Sequence, residues 1–310
     1  MRMKYALAIM ALLYVCFALK LRHVYAQDSK TPIFRDDFEY EVSRDAKNAE
    51  VTFRAHGWTD AKANNTYFRR GAGYLYTQYD PILKSRVLVM ESLPTQAPAP
   101  EGWRYAQTDY WLKYGGGDKP LTTIPANVWF QFWTYATPES RFYRLKFLYP
   151  SRGSYPASRR DGRTDYMWLL GFQGSDHTGS EGPPGSRFLA FEAWHAERGD
   201  TPHDPSQRQR LFQNLAPRTP LLAGRWYQVK IHIDVSGEQG VYEAWVREKD
   251  EQWKKVAEWK GAVTRDFFWP IPAEERVGLR VLAMPTTVNA VDSKMYLDEF
   301  VMASSERDLP

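Results

Sequence analysis

The sequence predicts an all-β protein whose antiparallel strands form two packed sheets. In residues 222–247, apolar and polar residues alternate with a period of two, which is typical of strands with one buried face. Much of the remaining chain consists of short runs rich in β-branched and aromatic residues, separated by clusters of Gly, Pro, Asn and Asp. Helical periodicity is weak, so the predicted architecture is a two-sheet antiparallel sandwich with long loops.

Residues 222–247 are predicted to form a β-hairpin whose turn reads Ser-Gly-Glu-Gln-Gly. Pairing Val235 with Gly240 across this turn sets apolar residues opposite one another: Ile233 and Tyr242, Ile231 and Ala244, Val229 and Val246. The same register produces a polar and aromatic face, with Gln228 opposite Arg247, Lys230 opposite Trp245, and His232 opposite Glu243. A slip of one residue would bury Glu243 and Arg247, so the pattern itself selects the register.

The first 26 residues have the pattern of a secretory signal peptide. Basic Arg2 and Lys4 precede an apolar run of about fifteen residues, which is shorter than the roughly 20 residues of a membrane-spanning helix. The alternative is a single membrane anchor. Cleavage after Ala26 would remove Cys16, the only cysteine, and leave residues 27–310 as one β-sandwich domain without a membrane span. We therefore expect a secreted or periplasmic protein.

The charge balance argues against nucleic acid as a partner. The predicted signal peptide contains four of the 41 basic residues and no acidic residue, and the whole chain has 37 acidic residues. The remaining chain would therefore carry equal numbers of basic and acidic residues. It shows no basic stripe of the kind that nucleic-acid-binding proteins use, and nothing in the sequence predicts an oligomeric state.

Twelve to fifteen strands are expected along the chain. The clearest runs are TPIFRDDFEYEV, EVTFRAHGW, YLYTQYD, SRVLVMES, NVWFQFWTYA, RFYRLKFLYP, DYMWLLGFQG, RFLAFEAWHAE, WKKVAEW, RVGLRVLAM and MYLDEFVMAS. A Pro-rich loop at 93–102 and Gly- and Ser-containing loops at 151–163 and 175–186 separate some of them. No internal repeat or interdomain linker is evident, which favours a single domain.

This order of strands, ending in GRWYQVKIHIDVSGEQGVYEAWV and MYLDEFVMAS, resembles the concanavalin A-like jelly rolls and, among them, the jelly-roll polysaccharide lyases. The resemblance covers roughly residues 33–304. It implies a jelly-roll sandwich and a polysaccharide partner. It does not fix the activity, because such folds include lectins, glycosidases, lyases and adhesion modules.

Aromatic residues suggest a sugar-binding surface. Flat indole rings can stack on the apolar faces of sugars, and neighbouring polar groups can bind the hydroxyls. We expect Trp133, Trp194 and Trp245 to bind substrate, together with Gln131 and Lys230. The alternative is that these aromatic rings fill the core of a thick sandwich.

A lyase needs groups that neutralise the carboxylate of a uronate, so that its α-proton becomes acidic, and a base that removes the proton. Arg144, Lys146 and Gln173 occupy positions that resemble the Arg-rich and Gln-x-His strands of the jelly-roll lyases. His232 or a tyrosine would act as the base. Two alternatives stay open: a solvated face with paired acids for Arg144, Lys146 and Lys230, and a cross-strand polar pair between His232 and Glu243.

Other chemistry is less favoured by the sequence. No histidines have zinc-ligand spacing, and we expect no metal or cofactor in the site. The resemblance allows a structural calcium ion, without locating it. Glu192 and Glu243 are an alternative acid pair for glycoside hydrolysis, whereas Asp298 is expected to be structural. A non-catalytic glycan-binding or adhesion module is the alternative to a lyase, and a structural surface or matrix component is a third possibility.

Overall fold

A computed structural model describes residues 32–63, 72–93, 105–107, 111–114, 125, 127–141, 144–152, 168–174, 182–194, 208–234, 236, 239–262, 277–284, 286–288 and 292–310. Within these residues the chain forms two large antiparallel sheets, as the sequence predicts, together with a two-stranded ribbon. The predicted two-sheet jelly-roll sandwich is therefore confirmed. The predicted signal peptide, residues 1–26, lies outside the described residues.

Sheet A contains eight strands in the order β14-β13-β12-β7-β17-β4-β3, with β1 paired to β17. Its strands are β1 (Phe34–Asp36), β3 (Ala72–Asp80), β4 (Ser85–Leu93), β7 (Asn127–Ala136), β12 (Tyr227–Asp234), β13 (Gln239–Glu248), β14 (Lys254–Ala262) and β17 (Ser293–Ala303). The predicted hairpin is formed by β12 and β13, and the register is the predicted one for every pair described, including Ile231 with Ala244 and His232 with Glu243.

Sheet B contains seven strands in the order β11-β10-β9-β8-β15-β6-β2. These are β2 (Asp60–Lys62), β6 (Trp111–Tyr114), β8 (Arg144–Arg152), β9 (Trp168–Gly174), β10 (Arg187–Trp194), β11 (Arg208–Phe212) and β15 (Val277–Met284). The ribbon pairs β5 (Tyr105–Gln107) with β16 (Thr286–Val288). The described residues thus hold seventeen strands, more than expected, because strands of three residues leave little pattern in a sequence.

One expected strand is a helix. Helix α1 (Ala49–Ala55) is formed by Ala49 and the first six residues of the run EVTFRAHGW. Ala49 and Phe53 are fully buried, and their spacing of four places both on one helical face. The helix is too short to be stable alone, so packing of this face decides its conformation.

The core lies between the two sheets. The ring centroids of Phe132 on β7 and Phe147 on β8 are 4.8 Å apart, and Phe191 on β10 stacks on Tyr242 of β13 at 4.2 Å. Contacts of this kind bury apolar side chains from one face of each sheet. The opposite, outer face of each sheet carries the polar residues from which a site can be built. Among the described residues, no helix is long and apolar enough to cross a membrane.

Candidate functional site

The predicted site residues lie on two different sheets. Sheet A carries five of them on β7, β12 and β13: Gln131, Trp133, Lys230, His232 and Trp245. Sheet B carries the other four on β8, β9 and β10: Arg144, Lys146, Gln173 and Trp194. For Arg144, Lys146 and Trp194 the structure describes the position in the strand.

The two groups belong to opposite outer faces of the sandwich. Ile231 and Ile233 are buried in the core on β12, so His232, between them, lies on the outer face of sheet A. Phe172 is buried in the core on β9, which places Gln173 on the outer face of sheet B. The core therefore separates the two groups. This corrects the hypothesis that His232 acts as the base on a uronate held at Arg144, Lys146 or Gln173.

The same geometry separates the alternative acid pair. Glu192 on β10 follows the core residue Phe191 and lies on the outer face of sheet B, whereas Glu243 on β13 lies on the outer face of sheet A beside His232. A single glycosidic bond cannot lie between these two carboxylates. The proposed hydrolase pair of Glu192 and Glu243 is therefore not assembled by the fold.

His232 is enclosed by partners on the outer face of sheet A. Its Nδ1 lies 3.1 Å from Oε2 of Glu243, and its Nε2 lies 3.2 Å from Oδ1 of Asn127. The Asn127 amide nitrogen donates to Asp234 at 3.1 Å, which orients its oxygen toward the imidazole. The ring also stacks on Trp129 at 4.1 Å. Both ring nitrogens thus have partners within the protein, in agreement with the interpretation of His232 and Glu243 as a cross-strand polar pair.

Glu243 joins this network to the edge strand β14. Lys255 Nζ donates to Glu243 Oε1 at 2.6 Å and lies 3.1 Å from Glu258. Burial by itself would raise the pKa of Glu243, but the hydrogen bonds from Lys255 and His232 outweigh it and lower the pKa. Burial would likewise lower the pKa of Lys255, yet its hydrogen bonds to the two carboxylates raise it. Both groups are therefore held in their charged forms.

Cations and indole rings alternate beside this network. Lys255 Nζ lies over Trp245 at 5.4 Å, and Lys230 Nζ lies over the same ring at 4.8 Å. Lys230 is also 5.0 Å from the ring centroid of Trp253, over which the guanidinium of Arg247 lies at 4.5 Å. We call this series, Lys255, Trp245, Lys230, Trp253 and Arg247, the cation–indole ladder. Because ammonium groups lie over Trp245, this ring is less open to a stacked sugar than the sequence suggested.

The C-terminal residues cross the same face. Glu306, in a short 3₁₀ helix (Glu306–Asp308), accepts from Lys230 Nζ at 2.5 Å. Gln131 is 3% exposed, and its amide nitrogen donates to the carbonyl oxygen of Pro310 at 3.3 Å. Lys230 and Gln131, two of the five predicted site residues on sheet A, therefore contact the C-terminal residues of the protein. Trp133 behaves similarly, since its indole nitrogen donates to Glu299 at 3.2 Å.

On sheet B, the residues predicted to neutralise a uronate are brought together. Arg144 pairs with Gln173 and Lys146 pairs with Gly171 across β8 and β9, before a register shift that follows Lys146. On the other side of β9, Gln173 pairs with Phe188 and Gly171 with Ala190 of β10. Arg144, Lys146 and Gln173, which we call the sheet B cluster, therefore form one continuous patch of neighbouring strand positions.

The outer face of sheet B is not an ordinary solvated face. Gln173 is only 9% exposed and Glu192 only 4% exposed, although both point away from the core. Glu192 pairs in register with Arg210 of β11, and Trp194 lies two positions further along β10, opposite Arg208. Buried polar groups in folded proteins have hydrogen-bond or ion-pair partners, so Gln173 and Glu192 are held within the protein on this face.

Several residues on sheet A were not part of the predicted site. Trp129 and Asn127 share the outer face of β7 with Gln131, which a period-two count can reveal. Trp253 and Glu306 come from other parts of the chain and leave no local signal. Within the described residues, no group of three or more His, Cys, Asp or Glu could hold a metal ion. The expectation about calcium and cofactors stays a prediction.

Comparison with solved structures finds jelly-roll proteins of low similarity. An alginate lyase from Pseudomonas aeruginosa has a TM-score of 0.42 at 8% identity, covering 74% of this chain and 86% of its own. A β-glucanase catalytic domain from Podospora anserina has a TM-score of 0.39 at 9% identity, covering 79% and 86%. A Lotus tetragonolobus seed lectin has a TM-score of 0.36 at 7% identity, covering 78% and 97%.

No protein family model matches the chain, and a search of curated proteins finds no match. The solved structures found are jelly-roll proteins, and the fold assignment of this chain rests on its own strand order and register. The role of each residue rests on the geometry described above.

Proposed function

We propose that this protein acts on an acidic polysaccharide at the outer face of sheet B, by β-elimination. The observation that carries the proposal is the register of β8 and β9, which places Arg144 opposite Gln173 and Lys146 opposite Gly171. Arg, Lys and Gln are the residue types that neutralise a uronate carboxylate. They come from two separate segments of the sequence, and the fold makes them neighbours.

Small residues lie beside the sheet B cluster. Gly171 and Ala190 pair directly across β9 and β10, so two of the smallest residues lie side by side next to Lys146. Small side chains leave room for a ligand close to the backbone. Gln173 and Phe188 flank this pair on one side, and Glu192 flanks it on the other. A uronate placed over Gly171 would lie beside the sheet B cluster.

In the proposed reaction, the sheet B cluster binds the carboxylate and stabilises the charge that develops when the α-proton is removed. A base takes this proton, its bonding electrons form the new carbon–carbon double bond, and the glycosidic oxygen leaves with a proton from an acid. His232 is not available as the base, because it lies on the other sheet. His177 follows Gln173 by four residues in the sequence. It lies outside the described residues and is the candidate that we would test first.

The experiment is ultraviolet absorbance during incubation with a panel of uronate polysaccharides. Elimination leaves a conjugated, absorbing uronate, whereas hydrolysis and binding do not. We expect absorbance to rise with one class of substrate, and Arg144→Ala and Gln173→Ala to lower kcat/KM by about 100-fold or more, on the scale of losing an electrostatic contact to the transition state. His232→Ala is the matched control and should retain activity.

A flat trace from folded protein across the whole panel would refute the lyase proposal. Loss of activity in His232→Ala without loss of folding would instead place the chemistry on sheet A. Retained binding without turnover would favour the non-catalytic glycan-binding module, which the cation–indole ladder on sheet A supports independently. The lyase and the binding module thus differ in both the reaction and the sheet that carries it.

A further inference from the structure

The cation–indole ladder places three cations along one line of sheet A. Its three cations are Lys255, Lys230 and Arg247, and neighbouring cations share an indole ring at distances between 4.5 and 5.4 Å. Indole rings stabilise ammonium and guanidinium groups held over their faces. The ladder is therefore a preformed row of cations whose spacing is fixed by the aromatic rings between them.

The three cations differ in how they are neutralised. Lys255 contacts Glu243 and Glu258, so its charge is balanced within the sheet. Arg247 donates from Nε to the neutral amide oxygen of Gln228 at 2.7 Å. Lys230 receives its carboxylate from outside the sheet, because Glu306 belongs to the segment that follows β17. The middle of the ladder therefore has an anion site that a separate segment fills.

Glu306 is the more exposed partner in this site. Its side chain is 53% exposed, whereas that of Lys230 is 12% exposed. Solvent screens the exposed partner of such an ion pair, and ordering its side chain costs entropy. The C-terminal segment makes a second contact beside Lys230. The carbonyl oxygen of Pro310 accepts from Gln131, the residue of β7 that pairs with Lys230. An incoming carboxylate can therefore replace Glu306 while Pro310 keeps its contact.

We propose that the cation–indole ladder is a second binding site for an acidic polysaccharide, and that Glu306 is an internal competitor for its central cation. A chain of uronates carries a carboxylate on every sugar, so it can pair with Lys230 and Arg247 together, which Glu306 alone does not. The apolar edges of Trp245 and Trp253 can contact the sugar C–H groups between them. The choice of ligand class rests on the proposed function, but the site is on the opposite sheet.

The test measures binding of a purified uronate oligosaccharide by isothermal titration calorimetry. The full chain carries Arg144→Ala, Lys146→Ala and Gln173→Ala, so that the sheet B cluster contributes neither binding nor turnover. In this background we expect Glu306→Gln to tighten binding about two- to fivefold, as removal of a weak competing ion pair predicts. Asp308→Asn, which changes an acid in the same 3₁₀ helix without touching Lys230, is the matched control and should leave the affinity unchanged.

Two further arms define the ligand and the ladder. Trp245→Ala combined with Glu306→Gln should abolish the gain, and a carboxyl-reduced, neutral oligosaccharide should show no gain at all. Equal affinity for the oligosaccharide with and without Glu306→Gln would overturn the proposal. It would also be overturned if Glu306→Gln tightened binding of a poly-glutamate peptide but not of the oligosaccharide. The ultraviolet assay uses the unaltered sheet B cluster. Its result therefore tests the proposed lyase activity separately from the binding site on sheet A.

Discussion

Asp298 offers a quantitative test of the packing of sheet A. This residue on β17 is 3% exposed, accepts from Ser85 Oγ at 2.7 Å and from the backbone N–H of Glu299 at 2.8 Å. Burial is the main cause that raises the pKa of Asp298 to about 7, and the nearby carboxylates of Glu299 and Glu39 raise it further. The two hydrogen bonds lower the pKa, but by less. A raised pKa in the folded state means that the folded protein holds a proton which the unfolded chain releases.

The sign and size of the effect follow from this difference. The native state is stabilised below pH 3.8, the ordinary pKa of the group, and the stabilisation is lost as the pH rises through about 7. A shift of one pKa unit corresponds to about 1.4 kcal/mol, so between pH 5 and pH 8 wild-type protein should lose roughly 2 to 3 kcal/mol through Asp298. Asp298→Asn keeps the size of the side chain and can bond both Ser85 and Glu299, but does not ionise.

The assay is urea unfolding of wild type and Asp298→Asn at several pH values between 5 and 8. Relative to wild type, the free energy of unfolding of the variant should increase by roughly 2 to 3 kcal/mol between pH 5 and pH 8, because only wild type loses stability through Asp298. Asp292→Asn is a suitable control, because Asp292 is exposed. A difference between Asp298→Asn and wild type that does not change with pH would refute the assignment of a raised pKa to Asp298.

Three other substitutions, with Tyr79→Ala as a control, test the sandwich by urea unfolding. Phe132→Ala should cost about 3 to 5 kcal/mol because it leaves a cavity between the sheets, whereas Tyr79→Ala, at a side chain that is 61% exposed, should change stability by less than about 0.5 kcal/mol. Glu91→Gln should cost about 1 to 3 kcal/mol, since this buried carboxylate accepts from Arg44 at 2.6 Å; unchanged stability would contradict the contact. Gly185→Ala should also destabilise the fold, because φ is +77° and a Cβ would lie 2.8 Å from a backbone oxygen; a neutral result would contradict this backbone conformation.

Local pattern was sufficient for the hairpin. In β12 and β13 the apolar residues recur with a period of two on both strands, and only one register keeps them all on one face. The cost of burying Glu243 or Arg247 excludes the neighbouring registers. The contact between His232 and Glu243 then follows directly from the register. Strands shorter than four residues gave no such signal.

Local pattern failed where packing competes with intrinsic preference. The run containing Phe53 has β-branched and aromatic residues typical of a strand, yet Ala49 and Phe53 are buried on one side of a helix. The ring centroid of Phe53 lies 6.1 Å from that of Tyr40 in an edge-on arrangement, and Tyr40 belongs to a separate segment. Burial of this face outweighs the small differences in intrinsic propensity.

By itself, the sequence determined the class of the fold, the antiparallel pairing of its strongest hairpin, and the residue types from which a site can be built. Only the tertiary structure decided which of these residues meet. Alternation places a side chain on one face of its own strand, but the sheet that the strand joins depends on pairing with distant segments. The core therefore separates His232 from Gln173, while Arg144 and Gln173, and also Lys230 and Glu306, become neighbours.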